Sequence, residues 1–273
     1  MDILMNILVS IIVFVIGASL GSFINVVVYR LPAGLSVLWP PSRCPQCLNR
    51  LKAYDNVPVL GWFWLKGRCR YCQTKISRRY PLVEALTGII FLIVFWVFQF
   101  SIFTIGYWAF FGWLLALSLV DLDTMTLPNS LTKSGLILGI GFQVAVGWLS
   151  EPTAVGLSKW LIKGIVGAVL GLWLFDAISL LGSMAFGKTV MGAGDAKLAA
   201  MMGAWLGWRY LLLAVFISCS LGVFIGGGAI ILSRHHKSQK MPFGPFLAMG
   251  GVVTVFCGET ILSHYMRLFL LGY

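Results

Sequence analysis

Long apolar stretches dominate the chain, and polar positions gather in a few breaks between them. The stretches fall at 4–28, 82–100, 102–120, 131–149, 158–184, 192–208, 210–232 and 245–272. Stretches of this length cross a hydrocarbon core about 30 Å thick as helices. One of them would fit a buried core helix, but eight in a single chain read as membrane spans. The pattern therefore predicts an all-α polytopic membrane protein with about eight transmembrane helices. The links at Phe100-Ser101 and Trp208-Arg209 leave almost no loop and predict helical hairpins. The first stretch reaches Val28, longer than the apolar region of a signal peptide, and no basic segment precedes it. It is expected to stay as a first transmembrane helix within 1–31. Residues 32–80 contain no long apolar run and hold five of the ten prolines, so they read as a small extramembrane domain. Residues 81–273 read as the main membrane domain.

Composition supports the pattern: 59% of residues are hydrophobic, 11% are charged, and the mean hydropathy is +0.92. A soluble domain carries about 25% charged residues. The net charge of +11 raises the question of nucleic acid, but its distribution argues against that partner. Ten of the twenty Lys and Arg residues lie between Arg30 and Arg79, and Arg234, Lys237 and Lys240 form a second cluster. Both clusters abut apolar spans, as in cytoplasmic loops that face anionic membrane lipid. With 31–80 inside, the loops 121–130, 185–191 and 233–244 also fall inside, 150–157 falls outside, and both termini lie outside. Ser150-Glu151-Pro152-Thr153 carries no Lys or Arg, in keeping with that side. Lys159 and Lys163, at the outer end of the fifth span, are exceptions that snorkelling accommodates.

Four cysteines change the picture for 32–80. Cys44-Pro-Gln-Cys47 and Cys69-Arg-Tyr-Cys72 form a CxxC-x21-CxxC array. Two such knuckles can place four thiolates around one structural Zn²⁺, leaving no open position for water. The other readings are a pair of disulfides or four unrelated thiols, and a reducing cytoplasmic side disfavours disulfides. A segment of this size with little core needs such a staple. Cys219 and Cys257 fall within apolar spans and read as small core residues.

Intramembrane charge is costly and tends to mark function, so the nine acidic residues are informative. Asp2, Asp55 and Glu151 lie outside the spans and read as solvated. Asp195, in Val190-Met-Gly-Ala-Gly-Asp195-Ala-Lys197, begins a span on the cytoplasmic side, beside glycines that permit close backbone approach. Asp121, in Leu119-Val-Asp121-Leu-Asp123, ends the third span on that same side. Topology thus predicts both aspartates at one depth, although 74 positions separate them in sequence. Two such carboxylates suit aspartyl proteolysis, in which one is ionised and the other protonated. A salt bridge of Asp195 with Lys197 and a transporter-type proton relay remain open at this point. Lys197, two residues on, projects from a different helix face. Asp123 reads as solvated or supporting, Glu84 as a favourable acid at a helix N-terminus, and Asp176 and Glu259 receive no role.

The chain resembles the type IV prepilin peptidase family in a series of segments that run in order along it. Gly21-Ser-Phe-Ile-Asn-Val-Val-Val-Tyr-Arg30-Leu-Pro32 is similar to the family's N-terminal signature. The paired CxxC loop follows, then Ile76-Ser-Arg-Arg-Tyr-Pro-Leu-Val-Glu84. Asp121–Thr132 resembles the segment of the first catalytic aspartate, and Met191-Gly-Ala-Gly-Asp195 the GxGD motif of the second. Pro242-Phe-Gly-Pro245 is similar to a motif before the last helix. The resemblance implies a GxGD aspartyl protease of the bacterial cytoplasmic (inner) membrane, with Asp121 and Asp195 as the catalytic pair. It implies cleavage of type IV prepilins or related pseudopilins after the Gly that ends a short basic leader. It also implies N-methylation of the new N-terminus with S-adenosylmethionine as cofactor. No GxGxxG loop and no segment large enough for a Rossmann domain are present, so no residues are assigned to that cofactor. Asn129 follows Pro128 where many relatives carry Asp. A zinc-stapled transporter using its aspartates for proton or cation coupling is the alternative, though no pair of corresponding halves with broken helices is evident. A non-catalytic assembly factor of a pilus or secretion machine is a further one.

Overall fold

The computed structural model describes residues 3–187, 191–231 and 241–269, and within these it is helical without strands. The helices are α1 (Ile3–Arg30), α2 (Leu60–Trp64), α3 (Arg79–Phe98), α4 (Ile102–Thr124) and α5 (Asn129–Ser150). They continue with α6 (Ala154–Phe186), α7 (Ala193–Leu206), α8 (Trp208–Ile231) and α9 (Gly244–Phe269). Seven of them are long and apolar enough to cross a membrane, in agreement with a polytopic all-α protein. The basic cluster Arg234, Lys237 and Lys240, together with Asp2 and Val190, lies outside the described residues.

The stretch expected as a span at 192–208 forms α7, a helix of 14 residues. At 1.5 Å per residue it is about 21 Å long, short of a hydrocarbon core of about 30 Å. Its residues from Leu198 to Leu206 are buried on every side, the signature of a helix enclosed by other helices. A helix ending in such surroundings needs donors for its last carbonyls. Gln143 of α5 supplies them, its Nε2 donating to Ala204 O at 3.2 Å and Trp205 O at 2.8 Å. Gly207, at φ 76°, then turns the chain directly into α8.

Two compact units divide the chain, Met1–Ala116 and Leu117–Tyr273. In the first, α1 and α3 pack antiparallel: Trp96 Nε1 donates to Ser10 Oγ at one end and Asn25 Nδ2 to Tyr80 O at the other. A Cβ on Gly21 would lie 2.8 Å from Glu84 Cα, so the small residue is what lets these backbones meet. Trp108 of α4 stacks on Phe91 at 4.8 Å and donates to its carbonyl oxygen. In the second unit α6 and α7 touch backbone to backbone, since a Cβ on Gly167 would run into Gly203 O, and one on Gly203 into Gly167 O.

Several expectations shift in detail. Helix α6 begins at Ala154, four residues before the apolar run, because Thr153 caps it by accepting from Gly156 N at 3.0 Å. Lys159 lies 3.8 Å from Glu151, and Lys163 lies over the Trp160 ring at 4.4 Å. Cys219 and Cys257, read as core residues, are exposed on the helix surfaces. A lipid-facing position is as apolar as a core position, so composition does not separate the two.

Candidate active site and metal centre

The four-cysteine segment lies in the first unit. Its knuckles are near copies: Cys44 N donates to Asn49 O and Leu48 N to Cys44 O, while Cys69 N donates to Thr74 O and Gln73 N to Cys69 O. The residue after each second cysteine, Leu48 or Gln73, takes positive φ (58° and 59°). Isolated bridges Arg43–Arg50 and Arg68–Lys75 close the two turns. All four Sγ atoms lie within 4.8 Å of one another, with Cys44–Cys72 at 3.7 Å and Cys47–Cys69 at 3.9 Å. An ion bound by four thiolates at about 2.3 Å has sulfur–sulfur edges of about 3.8 Å. The cluster therefore fits a tetrahedral metal ion.

The segment is held by polar contacts that the sequence does not reveal. Asp55, read as solvated, has a side chain only 2% exposed and takes both Nε and Nη2 of Arg70, with Nε at 3.0 Å from Oδ2. The Arg70 hydrogen bonds hold the Asp55 carboxyl below its ordinary range. Glu84, read as an N-terminal acid, is 9% exposed and accepts from Val59 N at 2.7 Å. It thereby ties the segment to α3. Val59 itself adopts φ 63°, ψ −56°, in a turn closed by Leu60 N donating to Pro58 O.

Asp121 and Asp195 lie together in the second unit. Asp121 is 5% exposed, in the last turn of α4. Met125 N donates to Asp121 O at 2.8 Å, and Met125 takes φ 51°, ending the helix and turning the chain sharply. After Leu127 and Pro128 the chain enters α5. Asp195 is half-buried in the first turn of α7, which begins after Gly192. The link between α4 and α5 meets that turn, because a Cβ on Gly194 would lie 3.1 Å from Leu127 Cβ. Lys197 Nζ donates to Asn129 Oδ1 at 2.7 Å, joining the starts of α5 and α7.

A third element meets Asp121. Gly244 N, at the start of α9, donates to Asp121 Oδ2 at 2.9 Å. The sequence marks this place with Pro242-Phe-Gly-Pro245 but does not say what it touches. Asp123 is exposed at the end of α4, and Asp176 and Glu259 are exposed on α6 and α9.

Residues 15–98 match the model of the bacterial peptidase A24 N-terminal domain, and residues 108–227 match that of the type IV leader peptidase family. A prepilin leader peptidase/N-methyltransferase of Aeromonas hydrophila is 38% identical, the match covering 94% of each chain. The chain belongs to the type IV leader peptidase family. Proteins of the same description from Pseudomonas putida and Neisseria gonorrhoeae are 36% and 34% identical, each over 93% of this chain. No solved structure matches. In this type IV leader peptidase, the knuckles fall in the part that matches the N-terminal domain, and Asp121 and Asp195 in the part that matches the peptidase.

Proposed function

We propose that this protein is an aspartyl endopeptidase that removes the leader of type IV prepilins or pseudopilins at the cytoplasmic face of the inner membrane, and that Asp121 and Asp195 are its catalytic pair. Family membership supports the activity. The observation that supports the residue assignment is the convergence of the α4 end and the α7 start, where Leu127 meets Gly194 and Lys197 reaches Asn129. Two carboxylates at such a place cannot both ionise readily. The ionised member takes a proton from water while the protonated one polarises the scissile carbonyl, and no covalent intermediate is formed. Lys197, engaged with Asn129, does not neutralise Asp195, which disfavours the structural salt bridge. Family membership likewise disfavours the transporter.

The curated relatives' description supports N-methylation of the new N-terminus, with S-adenosylmethionine as donor, and assigns that donor no residues here. The metal at Cys44, Cys47, Cys69 and Cys72 is Zn²⁺ in a structural role, since four thiolates at tetrahedral spacing favour it and leave no site for water. The domains are 1–31, 32–80 and 81–273; both termini lie outside, with α7, short and enclosed by other helices, still carrying the chain from the cytoplasmic side to the start of α8. The basic 32–80 domain lies against anionic lipid, in keeping with its exposed Trp39 and Trp64.

The test is incubation of the purified protein with a prepilin in lipid nanodiscs, with and without S-adenosylmethionine, and mass spectrometry of the products. A product cut after the leader Gly and methylated only when donor is present supports the proposal. An intact substrate contradicts it.

A further inference from the structure

The first turn of α9 accounts for its own amides with one exception. Phe246 N and Leu247 N both donate to Phe243 O, at 3.0 and 3.1 Å, and Pro245 has no N–H. The Gly244 amide is therefore the donor of this turn that reaches another element, and it goes to Asp121 Oδ2. The turn is anchored where it does so. The Phe243 ring lies 6.2 Å from Phe175 of α6 and 6.3 Å from Phe246, and it faces α8 beside Gly222. A Cβ on Gly244 would stand 2.7 Å from Asp121 Oδ2, 3.2 Å from its Cγ and 3.3 Å from its Cβ. Nothing larger than glycine fits unless the carboxylate moves.

We infer that Gly244 is a positioning residue for the reaction: its amide holds Asp121 Oδ2 and its bare Cα lets the carboxylate sit there, leaving Oδ1 as the oxygen that meets water and exchanges the proton. This rests on the reading of Asp121 as catalytic. The amide also fixes the carboxylate plane before substrate arrives, which is the kind of preorganisation that small displacements destroy. The segment Pro242–Pro245 is thus part of the site without touching substrate chemistry itself. Phe243 wedges the turn between helices, and Gly244 delivers the donor.

The experiment compares Gly244→Ala with Gly227→Ala, a control on α8 whose Cβ would enter open space. Alanine keeps the N–H and improves helix propensity, so only the methyl group against Asp121 is new. The expected result is a fall in kcat on the order of tenfold to a hundredfold, with KM close to the parent's and Gly227→Ala unaffected. Full kcat in Gly244→Ala, with Asp121→Asn inactive, overturns the inference and leaves the catalytic pair standing. Activity in Asp121→Asn overturns both. If Gly244→Ala is less stable, melting temperatures in the Asp121→Ala background decide: relief of the loss supports the contact, and an additive loss contradicts it.

Discussion

Lys197 Nζ sits 2.7 Å from Asn129 Oδ1, so the cation two positions after Asp195 is directed to the start of α5 and not to the carboxylate. Helix geometry requires this divergence, because residues two apart point to different sides. The contact links the α4–α5 turn to α7 from the polar side, while Leu127 against Gly194 links them from the apolar side. Lys197→Met should therefore cost no more than about 1 kcal/mol of stability, as for other exposed polar contacts, and leave most cleavage intact. A loss of activity as deep as that of Asp195→Asn, measured on the same substrate, would mean that Lys197 serves Asp195 directly.

Metal removal should act on the four-cysteine segment first. Metal analysis of the purified protein is expected to find one zinc per chain, and Cys47→Ser should lower that occupancy and open the segment to proteolysis between Arg43 and Lys75. Full occupancy in Cys47→Ser, and again in Cys69→Ser, would contradict a four-thiolate site.

Asp55 gives this segment a predictable response to acid. Its carboxyl is held below the ordinary range by Arg70, so the folded segment gains from the ionised form at neutral pH. That gain is complete above the unfolded value of about 4 and disappears as pH falls through the lower folded value. Hydrogen exchange of the 43–75 amides should be faster in Asp55→Asn than in the parent at pH 7. The difference should narrow below about pH 4. An unchanged difference across that range would show that the carboxylate's charge is not what matters.

Much of this was legible in the chain. Apolar runs locate the long helices because a bilayer demands continuous apolar length, and CxxC spacing gives the cluster because two thiolates per knuckle need that turn. The limits are equally physical. Hydropathy does not distinguish α7, enclosed by protein, from a helix that crosses lipid, since both are apolar all round. Asp55 reads as solvated until Arg70 folds back upon it from 15 residues away. Glu84 reads as an acid of its own helix, yet its partner is the Val59 amide of the preceding segment. The Gly244 amide is invisible in sequence because a backbone donor has no letter of its own, and 123 positions separate it from Asp121.

The catalytic pair is tested by the cleavage rate of a purified prepilin by Asp121→Asn and by Asp195→Asn, each matched to the parent in melting temperature and zinc content. With Asp121 and Asp195 as the catalytic pair, both variants bind substrate and neither cuts it. Near-parental cleavage by either variant would contradict this assignment, and would remove that aspartate from the pair.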